Sequence, residues 1–526
     1  MTTFFAKRRQ FLGAVAGGAA GTSALLSRAR HLRAQDKKIV RVRSKTDIRS
    51  IDTVMNFSIS DFDVRQAVLS NLILYQPGPT WTWRLDAAEA IEQVDPTHVA
   101  FRLRPGIQWT NGYGEMTAED VQYSFMRLAN PELQATDQAE FASFLDVEIK
   151  DTYSGVIITK EPVANLWTNT LPRAMGAIVC KKAWEERGAW LKSLDNDIPC
   201  SSGPYKLKEW IPQQRVVLER NDLWTGPAVY FDEVHYILIE DENAAEIAYL
   251  AGELDIAHIS TEAAVAFQSN PPHDTEIVVR PTTGFIWLGI NMEHEPYGDL
   301  RVREAVRKAI DVQQIIDGAY GGLGPKSTGV IAPGMIGHME MDLLGRDAEG
   351  AKALLAEAGL ADGFKTTITT LNNTADETAS QIIQANLAEI GIAVEIKSYE
   401  GGTYWNLGLE SAGEDWKSLE LIYQDWTSSA DPRRSTQFFT CGEVGNWNWQ
   451  RWCSEEYSQL DKEGGAETDL AKRGEIYTKM MKLMWDSATF LNITHPIRVT
   501  AVRANIEPNM LPNGYVYFRD LTAKQT

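Results

Sequence analysis

No apolar stretch in this chain reaches the roughly 20 residues needed to span a bilayer. The longest, residues 11–26, follows Lys7, Arg8 and Arg9, and reads as a signal peptide. Cysteine and histidine are scarce, four and eight among 526 residues, and no CxxC pair or HExxH helix occurs, which argues against a metal site. A GxSxG nucleophile elbow is also missing. The glycine-rich stretch 318–324 lacks both the Walker lysine and the Rossmann spacing, so it reads as a loop after a helix. Positive charge is in deficit: 51 Lys and Arg face 71 Asp and Glu, a formal net charge of −20, and about −26 once the six basic residues of positions 1–34 are set aside. An acidic surface repels phosphate backbones and anionic lipid, which argues against nucleic-acid and membrane-surface partners.

What is present points to export. The run Arg8-Arg9-Gln10-Phe11-Leu12 resembles the twin-arginine export motif, with Lys7 where that motif usually has Ser or Thr. The segment after it is weakly hydrophobic, and Arg28, Arg30 and Arg33 precede a cleavage point after Ala34. No cysteine lies there to carry a lipid, so a soluble periplasmic protein is expected. In that oxidising compartment the even set Cys180, Cys200, Cys441 and Cys453 is read as disulfides, and the sequence-local pairs are the expectation among three possible pairings.

Periodicity gives a mixed α/β chain. Strands are predicted near residues 38–42, 155–159, 216–219, 234–239 and 285–290, and residues 57–74 read as a loop entering a helix. Thr117-Ala118-Glu119-Asp120 forms a capping box before a helix with Val121, Phe125 and Leu128 inward. A helix over 243–251 ends at Gly252, and Asp299 caps one whose apolar face is Val302, Ala305, Val306, Ala309 and Ile310. A helix over 381–390 passes through Gly391 into a strand over 392–396, and no repeat of fixed period appears.

The block from Asn111-Gly112 through Met116-Thr117-Ala118-Glu119-Asp120-Val121-Gln122-Tyr123-Ser124-Phe125 resembles the signature of the family 5 extracellular solute-binding proteins, which serve peptide and nickel ABC importers. Ser202-Gly203-Pro204-Tyr205 and Ala430-Asp431-Pro432 keep the family's order, and the resemblance covers nearly the whole chain after residue 34. It implies a two-lobed periplasmic-binding-protein fold with an additional inserted domain. Lobe I would take residues 36–60, 196–284 and 497–526, the inserted domain 61–195, and lobe II 285–496. It also implies a monomer that closes over a small ligand and docks on separate permease and ATPase subunits of the inner membrane.

Aromatic residues are plentiful, with 16 Trp and 17 Tyr. Tyr404, Trp405, Trp426, Trp447 and Trp449 are candidates for stacking on a buried organic ligand, although each on its own also suits a core. In peptide-binding relatives a Trp lies over the ligand, followed by an Asp that holds the amino terminus. Trp426 matches that Trp by its spacing to Asp431-Pro432, but Thr427, Ser428 and Ser429 occupy the stretch where the Asp would stand, and Asp425 precedes the Trp instead; Trp426, Ser429 and Asp431 are taken as ligand-binding candidates here. Arg433 and Arg434 either face the cleft, where they suit a carboxylate or phosphate, or are solvated. Phe57, Ser58 and Ile59 match the family's first ligand loop; Phe285 and Trp287 read as core, and His338 and His495 as structural. The expected ligand is a short peptide or another polar solute such as an opine or saccharide, with no cofactor. A nickel chelate or haem is the nearest alternative, and a secreted hydrolase the alternative from another class.

Overall fold

The computed structural model describes residues 37–55, 58–136, 138–188, 198–341, 343 and 345–524; the expected signal peptide and Phe57 lie outside them. The core of the chain is mixed α/β. A seven-stranded sheet has the order Tyr205–Ile211, Arg215–Arg220, Glu233–Leu238, Ile39–Ser44, Ile256–His258, Ile497–Arg503, Thr275–Pro281. Strand Ile39–Ser44 runs parallel to both neighbours, so each connection must cross over outside the sheet. A five-stranded sheet has the order Ile392–Tyr399, Phe364–Leu371, Leu421–Trp426, Phe285–Ile290, Phe490–Thr494. Phe285–Ile290 is buried at every position, as its unbroken apolar run predicts. A four-stranded antiparallel sheet of Ala88–Asp95, His98–Leu103, Ser154–Thr159 and Phe144–Asp151 packs against helix Ala118–Ala129.

Local sequence signals explain most helix boundaries. The box at Thr117 forms, with the Thr117 N–H donating to Asp120 Oδ2 at 2.9 Å, and Val121, Phe125 and Leu128 are buried beneath it. Asp299 caps Leu300–Ala309, and helix Glu242–Leu250 is followed by Gly252 at φ +81°. The helix expected from Gln381 starts two turns earlier, at Thr374, because Asn373 accepts from the Asp376 N–H and caps it.

One antiparallel ribbon joins the two larger sheets. Thr275–Pro281 leads through residues 282–284 into Phe285–Ile290, and Phe490–Thr494 returns through 495–496 into Ile497–Arg503; the two chains pair in both sheets. Between the sheets the Thr282 N–H donates to the Pro496 carbonyl at 2.6 Å, and His495 Nδ1 bonds the Gly284 carbonyl at 2.7 Å. Burial lowers the His495 pKa to about 4, so the ring is a neutral structural brace, held also by Ser327 Oγ at 3.1 Å from Nε2. Gly284 is required, since a Cβ there would lie 2.8 Å from the Trp426 carbonyl oxygen. His338 is half-buried against the Ile331 carbonyl.

Cys441 and Cys453 form a disulfide, as expected from their spacing. Cys180 and Cys200 differ from expectation: both are buried, and both are free thiols in this structure. Asp431 is buried on Arg473, with Nη1 to Oδ2 at 2.7 Å and Nη2 to Oδ1 at 3.1 Å, and its Oδ2 also accepts from the Thr168 hydroxyl. Burial alone would push this carboxyl up, but the guanidinium and the Thr168 hydroxyl hold it below the usual range.

Two outcomes follow from these contacts. Cys441→Ser/Cys453→Ser should lower stability by about 3 kcal/mol on the chain-entropy account of a 12-residue separation, measured by urea unfolding. Arg473→Met should lower it by about 3–5 kcal/mol because Asp431 is left buried and charged, and Asp431→Leu on the same chain should recover part of that loss.

Candidate functional site

Helix Ile59–Val68 begins at Ser58, whose hydroxyl accepts from the Asp61 N–H while Asp61 Oδ2 accepts from the Ser58 N–H at 3.0 Å. Ser58 is therefore committed to capping. The spacing of Ile59, Phe62, Asp63 and Gln66 places them on one face of the helix, and that face walls a cavity of about 450 Å³. Strand Leu421–Trp426 brings Asp425 and Trp426 to the cavity, and residues 427–430 extend that wall. The ribbon residues 282–284, Pro496 and Arg498 line it too, so both larger sheets contribute.

The polar groups of the cavity are unevenly satisfied. Half-buried Asp63 accepts from the Tyr236 hydroxyl at 2.6 Å; burial raises its pKa to about 6, against the opposing pull of that hydroxyl and of Arg498. Arg498 lies over the Tyr515 ring at 3.6 Å and donates to the Asn513 carbonyl. Arg173 lies over the Phe62 ring at 5.3 Å and donates to Asn169 Oδ1 at 3.2 Å, with no carboxylate paired to it among the described residues. Asp425 has no cationic partner among them either, and burial raises its pKa. A carboxylate and a guanidinium thus stand in one cavity without ionic partners. Such a site can accept a ligand carrying both signs of charge.

Of the residues singled out from the sequence, Ile59, Trp426 and Ser429 line the cavity. Tyr404, Trp405, Trp447 and Trp449 stand behind it: Trp447 and Trp405 pack on Trp426 with ring centroids at 5.3 and 5.9 Å, and Tyr404 and Trp449 are buried in the cluster beyond. Asp431 is turned to Arg473, and the exposed Arg433 to Asp461 at 3.3 Å; neither lines the cavity. Arg434 lies near the Phe438 ring. Residues 57–74 read as a loop entering a helix, and the helix is Ile59–Val68; its cavity face follows the i, i+3, i+4, i+7 spacing behind the Ser58–Asp61 box. Arg173, Arg498 and Tyr515 carried no local signal. Among the described residues, the one close group of potential metal ligands is Cys441, Cys453 and Glu455, and its two sulfurs are in the disulfide.

Residues 83–446 match the family of bacterial extracellular solute-binding proteins, family 5. The chain is 24% identical over 418 residues to the glutathione-binding protein GsiB of Salmonella paratyphi A, covering 77% of this chain and 78% of that one. It is 24% identical over 453 residues to the dipeptide-binding protein of Escherichia coli, covering 80% and 82%. Among solved structures, HbpA2 from Haemophilus parasuis aligns at a TM-score of 0.82 with 20% identity, over 93% of this chain and all of that one. The unliganded open form of the murein tripeptide-binding protein MppA aligns at 0.81 with 18% identity, over 93% and 98%. The match spans more than half of the chain, and the fold agrees with it: the protein is a member of the family 5 extracellular solute-binding proteins.

Proposed function

We propose that the protein is the periplasmic substrate-binding component of an ABC importer, capturing a short peptide or similar small polar organic solute and presenting it to a membrane permease. The observation that carries this reading is the cavity of about 450 Å³, walled from both larger sheets, in which Asp425 and Arg173 lack ionic partners. A zwitterionic ligand supplies both counterions at once, and exclusion of water on closure strengthens each pair. Trp426, Phe62, Tyr75 and Trp81 offer aromatic faces to the rest of it. The glutathione- and dipeptide-binding relatives support a ligand of this class.

In this reading the seven-stranded sheet belongs to lobe I and the five-stranded sheet to lobe II, with boundaries at 284/285 and 496/497, and residues 61–195 form the inserted domain. The sheet membership of the ribbon strands supports the division. Export by a twin-arginine signal and action as a monomer complete it. The chain is a binder and not a catalyst, in keeping with a family of binding proteins.

Protein beginning at residue 35, refolded to strip carried-over solute, should show a raised Tm with pooled short peptides, opines or saccharides, followed by 1:1 binding in calorimetry. No shift with any pool would overturn the proposal. Asp425→Asn should weaken a peptide with a free amino terminus roughly 10- to 100-fold, and leave its N-acetylated counterpart unchanged. Asp63→Asn should stabilise the ligand-free protein by about 1–2 kcal/mol at pH 7.5. The sign follows from the raised pKa, about 6: wild type loses stability as Asp63 ionises with rising pH, and the variant does not. The gain should therefore fade toward pH 4 in parallel unfolding curves.

A further inference from the structure

The helix Ile59–Val68 carries four buried polar residues, and three of them are satisfied within the fold. Asp61 closes the cap, Ser60 shares a hydrogen bond with Ser44 at 2.7 Å, and the Arg65 guanidinium donates to the carbonyls of Ile51, Asp52 and Met55. Gln66 is different. It is 3% exposed, yet neither Oε1 nor Nε2 has a hydrogen-bond partner among the described residues. It is the one residue there with both side-chain polar atoms orphaned, and the one cavity-lining residue with any such atom.

An amide buried without partners is unfavourable, and a residue with only a packing role would be better apolar. Gln66 borders the cavity one helical turn from Asp63, so a bound ligand can reach it. We infer that Gln66 is a specificity-determining contact, its carboxamide held for a ligand group that offers a donor and an acceptor side by side. In an extended peptide the N–H and C=O of one residue point to the same side, and a primary carboxamide matches that pair with its own oxygen and nitrogen. The inference rests on the cavity being the ligand site proposed above, and narrows its ligand to one with a peptide-like backbone.

The test uses full-length exported protein, wild type and Gln66→Met, with pools of di- to pentapeptides, opines and oligosaccharides. The tightest peptide is then compared with analogues in which each backbone N–H is replaced in turn by an ester oxygen. Wild type should prefer the peptide roughly 10- to 100-fold over one ester analogue, and Gln66→Met should bind peptide and ester alike. The ligand-free variant should melt no lower than wild type, since it removes two unpartnered atoms. A lower ligand-free Tm would show that Gln66 is satisfied inside the fold and overturn the inference. So would peptide affinity unchanged by Gln66→Met, or binding of saccharides or opines but of no peptide, both of which leave the solute-capture reading intact. Binding of nothing by wild type would sink both.

Discussion

The two chain segments that pass between the larger sheets run side by side and are tied together where neither sheet can hold them. The Thr282 N–H to Pro496 carbonyl bond and the His495 ring on the Gly284 carbonyl keep the antiparallel pairing of one sheet in register with that of the other. The walls of the cavity depend on this alignment. Arg498 and Pro496 come from one side of the ribbon and Thr283 from the other, and Thr283 donates to the Ser428 carbonyl at 2.6 Å, anchoring the stretch that follows Trp426. A neutral, buried histidine suits the position, because a charged ring would be desolvated there.

Buried charge is handled in two ways in this molecule. Asp431 and Arg473 satisfy each other with two short bonds, and Thr168 adds a third contact from the distant segment before Leu171. That arrangement is complete without a ligand, and it serves the scaffold. Asp425, six residues earlier, and Gln66 across the cavity are left incomplete by the fold. The contrast separates buried groups that the fold satisfies from buried groups that it does not, and proximity in sequence does not predict which is which.

The sequence carried the fold well where the signal is local. The Thr117–Asp120 box, the apolar run of Phe285–Ile290 and the Asp299 cap were legible because side-chain chemistry within four residues decides them. It carried the site poorly. The aromatic group around Trp405, Trp447 and Trp449 was conspicuous in composition, yet these rings support Trp426 from behind, while the cavity draws on Arg173, Arg498 and Tyr515 from separate parts of the chain. Asp431 shows the limit most sharply. Its motif neighbours pointed to the ligand, and its partner Arg473, 42 residues away, had no sequence feature to mark it.

The placement of Ile497–Arg503 has a consequence for how the protein is made. This strand lies between Ile256–His258 and Thr275–Pro281, so a gap stays open in the seven-stranded sheet until residues 497–503 have been made. The partners on either side of the gap present unpaired backbone edges throughout synthesis, and their pairing spans more than 200 residues. Contacts of such long range form slowly. The nascent chain therefore exposes those edges to aggregation and to proteases until Ile497–Arg503 emerges, and loss of that strand would leave the sheet divided.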